Sequence, residues 1–224
     1  MKLYMHPAST TCRPIMFYAA DNGVELEQVV VDILSGEQYG PAYSAINPNN
    51  TVPVLEDGDL RVKESSAILK YLAEKGSSPT YPTELSARTR VNEAMDWFNT
   101  GFYRTFGYDL CYAQILDGYK LPDANAQKLA VEAGRTGAER FLKVLNDRMI
   151  GADGKYVCGD AITIADYFGA GLLSLGVTIG CKFSAYPNIV RWFETISARP
   201  KWKETNAGLY HWADYLRGPA YVTV

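Results

Sequence analysis

Three short runs carry the residues that could do chemistry. The first is His6-Pro7-Ala8-Ser9-Thr10-Thr11-Cys12-Arg13-Pro14, with a Ser-x-x-Cys spacing. A serine cannot exchange disulfides, but its hydroxyl can donate to a bound thiolate, and each unit by which that thiol's pKa falls corresponds to about 1.4 kcal/mol. A serine at such a junction also serves as a plain helix cap. Cys12 lies further along, where side chains turn inward, and buried thiols behave as small hydrophobes. The second run, Asn47-Pro48-Asn49-Asn50-Thr51-Val52-Pro53-Val54-Leu55, sets a proline at the start of a short apolar strand. Proline has no N–H for a ladder and can take a cis bond, so this edge reads as a slot for an extended peptide. The third, Glu64-Ser65-Ser66, opens a helix whose free N–H groups are suited to a carboxylate.

The elements that must position these runs follow from periodicity. Lys2 to Met5 reads as a strand, Thr11 to Asn22 as a helix, and Leu26 to Asp32 as a strand whose Val29-Val30-Val31 run predicts cover on both faces. Val52 to Leu55 and Leu60 to Val62 flank Asp57-Gly58, a hairpin signal, and Glu64 to Lys75 reads as a helix. The β-α-β, β-β-α order is that of a thioredoxin-like domain, expected over residues 1–76. Residues 77–85, rich in Ser, Pro and Thr, read as a linker, and residues 86–224 as an all-helical domain. The predicted fold class is therefore α/β followed by all-α. Thr163-x-x-Asp166 has the form of a capping box.

Composition narrows the function. The chain has 224 residues, 47% of them apolar, and a formal net charge of -3 with no basic stripe, which argues against a nucleic-acid partner. Its four cysteines are widely spaced and its two histidines are isolated, so neither a disulfide framework nor a metal site is expected. The opening residues do not form a leader, and the longest apolar stretch, near Ile162 to Gly180, is broken by Asp166 and glycines. A soluble cytoplasmic protein without membrane partners is expected. The aromatic run Trp97, Phe98, Phe102, Tyr103, Phe106, Tyr108, Tyr112 exceeds one core stripe. Phe102, Tyr103 and Phe106, with Tyr210 and Trp212, are candidates for the wall of an apolar cleft.

With these runs in place, the chain resembles the cytosolic glutathione transferases over essentially its whole length, most of all the serine-type theta and delta classes and their bacterial relatives. The motifs that carry the resemblance are Ser9-x-x-Cys12-Arg13, Asn47-Pro48 leading to Val52-Pro53, Glu64-Ser65, and Gly159-Asp160 ahead of the Thr163 box. The resemblance implies that Ser9 holds the glutathione thiolate, that Val52 beside Pro53 pairs with the cysteinyl backbone, and that Glu64 and Ser65 bind the γ-glutamyl end. It implies glutathione as co-substrate, no metal, a small electrophile as second substrate, a detoxifying role and a homodimer. Rival readings are a glutathione-dependent dehalogenase, isomerase or reductase, or a non-catalytic assembly protein of the same fold. One departure stands out. The family's histidine and lysine for the glycyl carboxylate are replaced by Gln38 and Thr51, which leaves neutral donors such as Asn50, and neutral hydrogen bonds are about half as strong as charge-assisted ones.

Overall fold

The computed structural model describes residues 1–224. The first unit runs β1 (Lys2–Met5), α1 (Arg13–Asp21), β2 (Glu27–Val30), a short α2 (Pro41–Ser44), β3 (Val54–Asp57), β4 (Leu60–Val62) and α3 (Ser65–Lys75). The four strands form one sheet in the order β2-β1-β3-β4. β1 is parallel to β2 and antiparallel to β3, with Leu3 opposite Leu55, and β4 returns antiparallel to β3 with Val62 opposite Leu55. Gly58, at φ 59°, makes the tight turn between Asp57 and Leu60, a backbone region that a side chain disfavours. The expectation that Val29-Val30-Val31 is covered on both faces is corrected. β2 is an edge strand, Val30 is 58% exposed, and only Val31, just beyond the strand, is buried.

The second unit is helical. α4 (Leu85–Asp96) starts where the Glu84 carboxylate accepts the N–H groups of Ser86 and Ala87 at 2.8 and 2.7 Å, the capping that an otherwise unsatisfied helix start requires. The helix then widens into a π-type winding over Trp97–Tyr112 and closes with α5 (Ala113–Ile115). There follow α6 (Ala124–Val144, prolonged by a widened turn to Ile150), α7 (Ile164–Leu173), α8 (Pro187–Ser197), α9 (Trp202–Thr205) and α10 (Ala207–Tyr215). No helix is long and apolar enough to cross a membrane.

α7 is the axis on which the site is mounted, and all of its residues are buried. At its start the Asp166 carboxylate, fully buried, accepts from Thr163 N–H (2.8 Å), Thr163 Oγ1 (3.0 Å), Val157 N–H (2.9 Å) and Trp192 Nε1 (2.9 Å). Further along, Gly171 lets α1 seat against it, since a Cβ there would stand 2.4 Å from Pro14 Cγ. The other end of α1 is tied by Asp21, which accepts from Tyr167 Oη at 2.5 Å and Arg199 Nε at 2.6 Å. A single apolar cluster of 47 buried residues runs from Leu3 and Ile15 through Phe98 to Trp192 and Trp202. Because the two units share this core, the face that the helices turn toward the β1–α1 loop is held in register with it.

Candidate active site

The loop between β1 and α1 opens the site. Ser9 N–H donates to His6 O at 3.0 Å, and Ser9 O accepts the N–H groups of Cys12 and Arg13 at 3.2 and 3.1 Å. These bonds make a turn that feeds directly into α1. The loop rests on α10, where a Cβ on Gly208 would come within 2.9 Å of the Pro7 carbonyl carbon. Ser9 itself is half-buried. Its Oγ accepts a long bond from Cys12 N–H, 3.4 Å, and lies 3.3 Å from Thr11 Oγ1. The Thr11 hydroxyl already donates to Val52 O at 3.2 Å, so in the Ser9–Thr11 pair Ser9 is the donor. A donor held by so long a bond is free to turn to a stronger acceptor. Cys12, by contrast, is fully buried, and burial pushes its thiol up to about 11, which keeps it protonated and inert.

Thr11 brings the second element into the site. The Val52–Pro53 bond is cis, Val52 O accepts from Thr11, and Val52 N–H donates to no group of the protein. The loop before it is built around Asn47, which is fully buried. Its Nδ2 donates to Thr51 O at 2.7 Å, its Oδ1 accepts Asn49 N–H at 3.0 Å, and its own carbonyl accepts Asn50 N–H at 2.9 Å. Tyr43 Oη adds a second bond to Thr51 O, 2.8 Å. The third element is the start of α3. Glu64 is extended (ψ 129°) and exposed, Ser65 is buried, and the first intrahelical bond is Ile68 N–H to Glu64 O. The N–H groups of Ser65, Ser66 and Ala67 therefore point out of the helix end without acceptors, a ready anion site.

The helical unit meets this loop through tyrosines. Tyr112 Oη donates to Thr10 Oγ1 at 2.7 Å and lies 2.9 Å from Tyr103 Oη. Tyr108 packs edge-on to Tyr112 at 5.3 Å between ring centres, and Tyr119 lies 5.6 and 5.7 Å from the rings of Tyr108 and Tyr112. Burial pushes the Tyr112 phenol up to about 12, so at neutral pH it is a hydrogen-bond donor and not an anion.

The sequence agrees with this geometry when compared with known proteins. Residues 1–74 match the family model of the glutathione S-transferase N-terminal domain, and residues 109–200 that of the C-terminal domain. Human glutathione S-transferase theta-2 is 32% identical over 201 residues, covering 88% of this chain and 81% of the relative. This chain belongs to the glutathione S-transferase family. Mouse glutathione S-transferase theta-3 is 30% identical over 205 residues, with 88% and 82% covered. A crystal structure of human glutathione transferase theta-2, in complex with glutathione and an unknown ligand, superposes with a TM-score of 0.82 at 28% identity, covering 100% of this chain and 93% of that one.

Within this glutathione S-transferase the expected residues fall into three groups. Ser9, Val52, Pro53, Glu64 and Ser65 lie on three elements, the first two of them joined directly through Thr11. Thr51 is exposed, and its Oγ1 accepts from Asn47 Nδ2 at 3.3 Å. Asn50, at φ 55°, accepts from Ser44 Oγ on its Oδ1 and leaves its amide nitrogen without a protein partner. Gln38 is corrected. It is buried, with its amide nitrogen turned to Ile33 O at 3.4 Å, so its side chain packs into the protein and is not displayed at the surface.

Among the cleft candidates, Phe102 and Phe106 are also corrected. Both are fully buried, stacked on each other at 5.0 Å between Trp97 and Phe183, and form core rather than wall. Tyr103 is buried but reaches the site through its hydroxyl. Tyr210 and Trp212 are part-buried on α10, Tyr210 Oη accepting from Trp202 Nε1 at 2.8 Å. Sequence reasoning missed Thr11 and Thr10. The signal was the run of three hydroxyl residues from Ser9, of which only the first drew attention.

Proposed function

We propose that this glutathione S-transferase conjugates the thiol of glutathione to small, largely apolar electrophiles, with Ser9 as the catalytic hydroxyl. The observation that carries this reading is the hydroxyl chain from Ser9 Oγ to Thr11 Oγ1 to Val52 O, 3.3 and 3.2 Å. It holds a weakly engaged donor beside a backbone segment whose Val52 N–H is open to a peptide. Ser9 then donates to the sulfur, which favours thiolate over thiol. Val52 N–H donates to the cysteinyl carbonyl as an extended-strand partner, and Glu64, Ser65 and the α3 N–H groups take the γ-glutamyl end, its carboxylate on the N–H groups and its ammonium on the Glu64 carboxylate. Asn50 and Thr51 are left for the glycyl carboxylate, with no cation among them.

The thiolate attacks the electrophilic carbon, the new C–S bond forms as the leaving group departs or a strained ring opens, and the serine proton stays on Ser9. Holding the two reactants together supplies the proximity, and the lowered thiol pKa supplies the nucleophile. The second substrate is assigned to the tyrosine face of Tyr108, Tyr112 and Tyr119, with Tyr210 and Trp212 of α10 as further candidates for its cleft. In this reading residues 1–76 form the glutathione-binding domain and residues 86–224 the domain that receives the electrophile, joined by 77–85. The four unpaired cysteines suit a reducing cytosol.

The test is glutathione-dependent turnover of a panel comprising an aryl halide, an alkyl halide, an epoxide and an enone. Conjugate formation that saturates in glutathione with at least one of them supports the reading. Glutathione binding without any conjugate from the panel contradicts it.

A further inference from the structure

His6 stands directly after β1, opens the β1–α1 loop and is buried. It holds the two consecutive amides that lead into the serine. Its carbonyl accepts Ser9 N–H at 3.0 Å, closing a four-residue turn with Pro7 at the second position, where the fixed φ of proline suits the bend. Its ring Nδ1 accepts Ala8 N–H at 3.2 Å, the bond by which an Asn or Asp side chain pins the backbone two residues on. No other group accepts from Ala8 N–H. An Nδ1 that accepts sets the ring proton on Nε2 and requires a neutral ring, since an imidazolium donates from both nitrogens. Burial holds the pKa of the ring below its ordinary value. Of the charged groups, only Asp32, just past β2, opposes this. It is exposed, its Oδ1 already accepts Leu34 and Ser35 N–H at 3.0 and 3.2 Å, and the neighbouring α1 and α10 add no charge.

The bonds of Ser9 Oγ itself are long, 3.4 Å from Cys12 N–H and 3.3 Å to Thr11 Oγ1, so the place of this hydroxyl rests on the backbone of the turn more than on its side-chain partners. The turn has two supports. Pro7 seats against α10, where a Cβ on Gly208 would come within 2.9 Å of its carbonyl carbon, and the His6 ring pins Ala8; of the two only the ring is titratable. We propose that His6 is a positioning residue for the conjugation: through Nδ1 its neutral ring fixes the turn that presents the Ser9 hydroxyl to the sulfur, and protonation of the ring releases that turn. This rests on the assignment of Ser9 to the thiol. A histidine that served only as filling for the core would tolerate Asn and Gln alike, or neither.

Two variants separate these roles. His6→Asn sets Oδ1 where Nδ1 now accepts, whereas His6→Gln carries its acceptor one bond further along, out of register with Ala8 N–H. Each is assayed for conjugation at neutral pH, and the bound thiol is titrated by its ultraviolet thiolate absorbance. His6→Asn keeps kcat within about twofold of the parent and leaves the thiol's pKa in place. His6→Gln lowers kcat about tenfold and raises that pKa by about one unit, while KM for glutathione changes less than about threefold, because Val52, Glu64 and Ser65 are untouched. As the pH falls through the depressed pKa of the ring, the parent loses about a further tenfold in kcat/KM that His6→Asn does not lose. Equal kcat in the two variants overturns the proposal, whether both are active or both impaired. Should His6→Gln fail to fold, the acid limb decides, and one limb shared by the parent and His6→Asn overturns it. A His6→Asn protein that fails to fold also overturns it, because that side chain supplies the same acceptor. If Ser9→Ala leaves the bound thiol's pKa where it stands in the parent, it is the assignment of Ser9 that fails instead.

Discussion

Tyr112 donates its phenol proton to the hydroxyl of Thr10 across 2.7 Å, and this bond joins the helical unit to the loop that carries Ser9. It is the one side-chain bond by which the widened Trp97–Tyr112 helix grips the β1–α1 loop, and Tyr103, 2.9 Å away, backs it. Tyr112→Phe and Thr10→Val should each lower kcat/KM by about fivefold, as expected for losing about 1 kcal/mol of hydrogen bond. The double variant should be little worse than either single one, since both remove the same bond. Fully multiplicative losses in that cycle would mean that the two hydroxyls act separately.

In the proposed site the glycyl end lacks a cation. Between Asp32 and Leu60 there is no lysine or arginine, Gln38 is turned inward, and Thr51 is exposed. Thr51→Lys should tighten glutathione binding several-fold by replacing a neutral contact with a charge-assisted one. Titration calorimetry giving equal or weaker affinity would show that a basic group elsewhere already holds that carboxylate.

Asp166 bonds none of the candidate site residues and is central to the fold. Asp166→Ala leaves two backbone N–H groups, the Thr163 hydroxyl and the Trp192 indole N–H without their acceptor, and should cost about 3 kcal/mol or more in urea unfolding. Activity per folded molecule should remain near the parent's. A stable but inactive variant would assign Asp166 a part in the reaction.

Much of this was legible in the sequence because the decisive signals were local. Pro53 and Glu64-Ser65 mark their elements by residue type, and the Asp57-Gly58 turn fixes the hairpin between them. What was not legible depended on winding and neighbours. Phe102 and Phe106 look like cleft residues on an ordinary helix. In the widened helix Phe98, Phe102, Phe106 and Leu110 recur every four residues on one buried stripe, and Tyr108 and Tyr112 are left half-buried, with Tyr112 turned to the β1–α1 loop. Val30 reads as core, yet β2 ends the sheet and exposes it. The burial of Arg13 has no signal in the sequence, since it arises only where α7 and the start of α10 close over α1.

Assembly is open to a direct test. The family resemblance implies a two-fold dimer, and large apolar side chains stand exposed at Leu60 and Leu85. Light scattering at micromolar concentration should give about twice the chain mass of 24.8 kDa. A mass equal to one chain, with activity retained, would show a working monomer.

The central claim is that the Ser9 hydroxyl holds the glutathione thiolate, and the most direct measurement is the ultraviolet titration of the bound thiol in the parent and in Ser9→Ala. The parent should hold a thiol titrating below that of free glutathione. Ser9→Ala should raise that pKa by about one to two units and slow conjugation at neutral pH about tenfold or more, with glutathione affinity nearly intact. Identical titrations of the two proteins would contradict the assignment and return Ser9 to the role of a helix cap.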